Sequence, residues 1–147
     1  MIKVVPDANI ILSSILSSSG APRKLINLAL AKKIVMFGSA ETYAEFKRKI
    51  EMPKFKKYLE KQIFTPEKLE FDYRSFISAV EPFDILKDEK IVKEDPDDDM
   101  YFRVAKAAGS KIIITGDKAV LGVKKYDEII VVGPSKFVEK FSLLNTS

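Results

Sequence analysis

The chain has 147 residues, 46% of them hydrophobic and 31% charged, which is the balance of a folded globular protein with enough length to bury a core in one domain, 1–147. It holds no cysteine and no histidine, so Ser-His-Asp and Cys-His chemistry and all thiolate or imidazole metal ligands are excluded, and any metal must be held by oxygens. The formal charge is +4, no apolar run approaches the about 18 residues that cross a bilayer, and no signal peptide is evident, so the expectation is a cytoplasmic protein with no membrane partner.

In chain order, residues 2–5 read as a strand ended by Pro6-Asp7. Residues 10–16 suit a short buried helix, and 17–20 a loop. Pro22 begins a second helix with an apolar face at Leu25, Ile26, Leu28 and Ala29, and Lys32 and Lys33 suit its last turn. Residues 34–37 form the second strand. Gly38-Ser39 then supplies a turn and a cap for a helix running to about Met52, with Ala40, Tyr43, Ala44, Phe46 and Ile50 expected inward and Glu41, Glu45 and Lys49 on another flank.

Residues 54–61 form a lysine-rich helical protrusion with Phe55 and Tyr58 interleaved. Lysines solvated around core aromatics account for it, and so does nucleic-acid binding. Thr65-Pro66-Glu67 is a strong helix start, and Leu69, Tyr73, Phe76, Ile77 and Val80 continue a helical apolar stripe. Residues 82–86 read as a short extended segment, followed by a polar link.

The stretch 95–117 organises the rest. Asp95-Pro96-Asp97-Asp98-Asp99 opens a helix over 97–108, Gly109 ends it, and the β-branched run 111–115 reads as a strand buried on both faces of a parallel sheet. Gly116-Asp117 turns the chain, one helical turn over 118–122 follows, then a strand over 129–132, and Gly133-Pro134 starts a last helix with Phe137, Val138, Phe141 and Leu144 inward. This alternation specifies an α/β fold, a three-layer α/β/α sandwich with a mainly parallel central sheet.

Ligand crevices in such sheets lie outside the carboxyl ends of the strands. Asp7 and Asp117 follow strands directly, and Asp98 opens a helix. Brought together, each pair of carboxylates at about 4 Å costs roughly 4 kcal/mol at an effective dielectric near 20, and a divalent cation offsets that. No histidine or obvious arginine clamp substitutes for it. Mg²⁺ or Mn²⁺ suits an all-oxygen site, and the chemistry such a site supports is hydrolysis of a phosphodiester. Capping accounts equally well for Asp95, Asp97 and Asp99, and pairing with Lys49 accounts for Glu45.

Several stretches together carry a resemblance: Val4-Val5-Pro6-Asp7-Ala8-Asn9, Glu45 within 39–46, Asp95-Pro96-Asp97-Asp98 with Ala105 seven residues on, Ile114-Thr115-Gly116-Asp117, and Val132-Gly133-Pro134. In that order they resemble the PIN-domain nucleases, most closely the toxin branch related to VapC. The resemblance implies a metal-dependent endoribonuclease with Asp7, Glu45, Asp98 and Asp117 as catalytic, metal-holding acids around Mg²⁺ or Mn²⁺. Asn9, Thr115, Asp95 and Asp99 would support them. Ala8 stands where many relatives carry threonine. The resemblance also implies single-stranded or structured RNA as substrate, an antitoxin partner and a homodimer. A PIN-like module that binds RNA or protein without turnover is the alternative. A phosphoacceptor protein of receiver type ranks below both, because the strand over 34–37 ends in Gly38-Ser39 and not in aspartate.

Overall fold

Strand β1, Ile2–Pro6, lies at the middle of a six-stranded sheet, and its two central valines show why: Val4 and Val5 are both fully buried, and they belong to apolar clusters on opposite faces. Alternation along a strand sends neighbouring side chains to opposite sides, so a strand apolar at successive positions needs cover on both. The structure is a computed structural model and describes residues 1–61 and 64–145.

From β1 the chain passes through α1, Ala8–Leu16, and α2, Ala21–Leu30, to β2, Ile34–Gly38. Helices α3, Ala40–Ile50, α4, Pro53–Lys61, and α5, Pro66–Phe76, lead to β3, Ile77–Ala79. A 3₁₀ turn, Pro96–Asp99, runs into α6, Met100–Ala108, and then β4, Ile112–Ile114. The chain closes with α7, Lys118–Leu121, β5, Lys125–Tyr126, β6, Ile129–Val132, and α8, Pro134–Asn145.

The sheet order is β3-β2-β1-β4-β6-β5, parallel throughout except for the antiparallel pair β5–β6. One face is covered by α1, α2, α3, α5 and α8, through residues such as Leu12, Leu25, Phe46, Leu69 and Phe137; the other is covered by α6 and α7, through Phe102, Val104 and Val120. This is the expected three-layer α/β/α sandwich. Because the chain winds outward from β1 to β2 and β3 and then returns to lay β4 on β1's other side, the order reverses between β1 and β4. The carboxyl ends of these two strands flank a crevice.

Several local expectations are corrected. Helix α3 buries Thr42, Phe46 and Ile50, whereas Ala40 and Ala44 are exposed. Thr42 can point inward because its hydroxyl is satisfied: it accepts from the Ser39 amide at 2.8 Å and lies 3.1 Å from the Tyr73 hydroxyl. The stripe of α5 does not continue as helix past Phe76; Ile77 instead pairs with Met36 in a parallel edge strand, tertiary pairing prevailing over helical spacing. Residues 82–89 form hydrogen-bonded turns rather than an extended segment. Helix α2 stops at Leu30, leaving Lys32 in a left-handed turn at φ 58° and Lys33 beyond it. The helix expected over 97–108 begins as a 3₁₀ turn, and Gly109 ends it at φ 71°.

Gly38 is the most closely approached of the described glycines. A Cβ there would lie 2.7 Å from the Tyr73 hydroxyl and 2.8 Å from both Ile77 Cγ2 and Thr42 Oγ1. Gly38→Ala is therefore expected to destabilise the protein by about 1–3 kcal/mol, as overpacked core substitutions do, read as a lower urea midpoint at unchanged slope.

Candidate active site

The crevice at the β1–β4 reversal is built first by Asp7. As β1 ends, the Asp7 amide donates to the Ile114 carbonyl at 3.0 Å, stitching the two strands at their carboxyl ends. The Asp7 side chain then caps α1, accepting from the Ile10 amide at 2.8 Å, and its second oxygen accepts from the Thr115 hydroxyl. Thr115 is fully buried, and its hydroxyl oxygen also accepts from the Asp117 amide at 3.0 Å. One threonine thus fixes two aspartates from different strands. Asp117 caps α7, accepting from the Ala119 and Val120 amides at 2.8 and 3.3 Å.

Two further elements close the crevice. Helix α3 contributes Glu45, and the 3₁₀ turn contributes Asp98, with Asp95 just before it. All five acids line one small cavity of about 90 Å³, together with Ala8, Asn9, Arg48, Lys49 and Tyr101. Asp7, Glu45, Asp98 and Asp117 come from four distant parts of the chain and meet here. Asn9 is exposed at the rim. Asp95 is exposed as well, and its side chain makes no capping hydrogen bond. Among Asp97, Asp98 and Asp99, only Asp98 lines the cavity. Asp99 is 3% exposed and holds the Ile91 and Val92 amides at 3.1 and 2.7 Å, so it anchors the preceding loop.

Two lining residues, Arg48 and Tyr101, are not legible in the sequence as parts of the site, and a third, Lys49, is the expected partner of Glu45. Arg48 grips Glu45 in a two-bond clamp, Nε to Oε2 at 3.0 Å and Nη2 to Oε1 at 2.6 Å. This corrects the expectation that no arginine clamp stands among the acids. Lys49 Nζ stands 3.9 Å from the same carboxylate. Spacings of three and four from Glu45 put both cations on its helix face, and that was the available signal. Tyr101, one turn after Asp98, accepts the Ala8 amide on its hydroxyl at 3.2 Å and so braces α6 against the end of β1.

The electrostatics follow from crowding. Burial, and then the charges of Asp95, Asp117, Asp7 and Glu45, push the Asp98 carboxyl up to about 7. Burial also raises Asp7, against the lowering effect of its hydrogen bonds from Thr115 and Ile10. Tyr101 is raised by burial and then by Asp7.

A divalent cation fits this chemistry: the donors are hard oxygens, they repel one another, and among the described residues no hydrogen bond reaches the Asp98 carboxyl. As the side chains stand, no three acids among the described residues are placed to hold an ion together. Asp7, Asp117 and Glu45 are instead engaged by helix caps, Thr115 and Arg48.

A family model described as PIN domain matches residues 3–119. The uncharacterized protein MJ1680 of Methanocaldococcus jannaschii is 29% identical over 153 residues, an alignment covering 95% of this chain and 92% of that protein. Among solved structures, a chain in the crystal structure of VapBC2 from Rickettsia felis, bound to a DNA fragment from their promoter, superposes with a TM-score of 0.61 at 13% identity, covering 90% of this chain and 98% of the other. A chain of FitAcB from Neisseria gonorrhoeae superposes with a TM-score of 0.53 at 16% identity, covering 89% and 97%. At these identities the likeness to the two structures is one of fold.

Proposed function

This chain belongs to the PIN-domain family, and on that premise we propose that it is a divalent-metal-dependent endoribonuclease, the toxin of a toxin–antitoxin pair. The observation that carries the proposal is the convergence of Asp7, Glu45, Asp98 and Asp117 on one cavity at the sheet's topological reversal. Asp7, Asp98 and Asp117 are the residues to hold Mg²⁺ or Mn²⁺, with Glu45 completing the set. When bound, such an ion lowers the pKa of a water and offsets charge on the phosphate being cleaved.

The chain's own groups do the positioning. Thr115 donates to the Asp7 carboxylate and accepts from the Asp117 backbone amide, tying the two strand ends together, while the Asp117 carboxylate caps α7 and Tyr101 holds the backbone of Ala8. Arg48 and Lys49 bring positive charge to the rim, where they can attract the RNA backbone while Glu45 keeps them oriented. Asn9 and Asp95 stand at the same rim as supporting polar groups. The fold shared with VapBC2 and FitAcB supports an antitoxin partner, and a homodimer is a further part of the same proposal. Among the described residues no helix is long and apolar enough to cross a membrane, and a cytoplasmic location belongs to the proposal too.

One observation favours a second reading, a PIN-like module that binds RNA or protein without turnover: Glu45 is fully engaged by Arg48. A single assay separates the two. Purified protein is incubated with single-stranded RNA and MnCl₂, in parallel with EDTA and with an Asp7→Asn variant. The nuclease reading expects cleavage by the wild type alone, abolished by EDTA. Equal cleavage by Asp7→Asn would assign the activity to a contaminant, and RNA binding without cleavage would support the binding module.

A further inference from the structure

A groove of about 480 Å³ lies between α1 and α4 and adjoins the acid cavity, sharing Asn9 and Asp117 with it. Its apolar lining is Ile10, Leu16 and Phe55, and its polar groups include Ser13 and Lys54. Phe55 is half-buried, packed against the core on one side while lining the groove on the other. The exposed Lys54 holds its ammonium 5.4 Å from the Phe55 ring centroid and makes no ion pair among the described residues. An aromatic ring, an exposed ammonium resting over it with no ion pair among the described residues, and a shared border with clustered carboxylates form a set that suits a planar, weakly apolar ring carried on an anionic backbone, the ammonium swinging from the ring to the phosphate.

We propose that this groove seats the nucleotide next to the cleaved phosphate, with its base stacked on Phe55 and its phosphate held by Lys54. This rests on reading the acids as a phosphodiester-cleaving site. Stacking on an aromatic face tolerates any base, because every base has a π-face, so the groove contributes grip and register and no strong sequence preference. Its volume lies within the range of about 300–1,000 Å³ usual for ligand pockets. The strand then continues over Asn9 and Asp117 into the acid cavity. An uncharged apolar peptide would leave Lys54 without a role.

The test uses full-length protein carrying Asp98→Asn, which prevents cleavage during the measurement, and a fluorescein-labelled single-stranded RNA oligonucleotide read by anisotropy in EDTA over a range of salt. Phe55→Leu is expected to weaken binding about tenfold, while Phe55→Trp retains it. Lys54→Gln is expected to reduce the slope of log affinity against log salt by about 0.7, one phosphate contact on a single strand. Lys33→Gln, at the amino ends of the strands and far from the groove, is the control and should change neither. Lys54 is exposed, so its variant decides the matter even if Phe55→Leu folds poorly. RNA binding that is indifferent to both Phe55→Leu and Lys54→Gln overturns the proposal and leaves the groove to a protein partner.

Wild-type cleavage in Mn²⁺, run beside it, separates the two claims. Cleavage together with indifferent binding removes only the groove. Absent cleavage together with Phe55-dependent binding removes only the nuclease reading.

Discussion

Asp98→Asn is expected to do two opposite things: lower metal-supported RNA cleavage by more than about a hundredfold, and raise the melting temperature of the metal-free protein at pH 8. The first follows from its place in the cavity, since even partners one bond removed from a metal cost about 10- to 100-fold when lost, and a direct ligand should cost more. The second follows from the charges around it. The Asp98 carboxyl is pushed from 3.8 to about 7 by burial and by Asp95, Asp117, Asp7 and Glu45. A carboxyl whose pKa is higher in the folded than in the unfolded state favours folding when protonated; that contribution is complete below the unfolded value and is lost as pH rises through about 7.

At pH 8 the ionised Asp98 therefore strains against its neighbours, and the neutral amide relieves the strain. Asp98 is half exposed, so solvent screening limits the gain to a modest shift. Melting curves in EDTA at pH 4.5 and pH 8 measure it, with a gain expected only at the higher pH. A variant less stable than wild type at pH 8 would mean that the acids do not crowd one another, and the physical case for a cation in the cavity would go with it.

What the sequence discloses here divides by range of interaction. Asp7 and Asp117 are legible because each directly follows a β-branched run, and turns at strand ends are where an α/β sheet exposes functional groups. Asp98 is legible as the opening of a helix, and Glu45 only through the family resemblance, because four-residue spacing to Lys49 explains it without any site. The Arg48 clamp and the Tyr101 brace are not legible although each lies one turn from one of the four acids, because helical spacing shows who shares a face and not what that face meets. Strand β3 is hidden for a similar reason. Ile77 extends the stripe of Leu69, Tyr73 and Phe76, and only the waiting edge of β2 turns it into a strand. The two-residue strand β5 exists through its pairing with Ile129 and Ile130, and no periodicity fits into two residues.

The neighbouring acid gives the sharpest contrast. Asp99→Ala is expected to destabilise the fold by about 3 kcal/mol, because it strips the acceptor from two buried amides at once. The Ile91 and Val92 amides donate to the two Asp99 oxygens at 3.1 and 2.7 Å, in a segment where Ile91 is 9% and Val92 1% exposed, so neither amide can turn to water. Each buried donor left unsatisfied costs about 1–3 kcal/mol. Asn at this position keeps one acceptor oxygen and should lose less, which a urea midpoint series over wild type, Asn and Ala resolves. Cleavage by Asp99→Asn, measured well below its melting temperature, should stay near wild type, because its side chain does not line the acid cavity. The pair thus separates function from stability within one peptide bond: Asp98→Asn loses activity and keeps or gains stability, and Asp99→Asn does the reverse. If Asp99→Asn instead abolished cleavage while folding normally, the register of the acidic run in the site would have to move by one residue, and Asp98 would lose its assignment as a metal-holding acid.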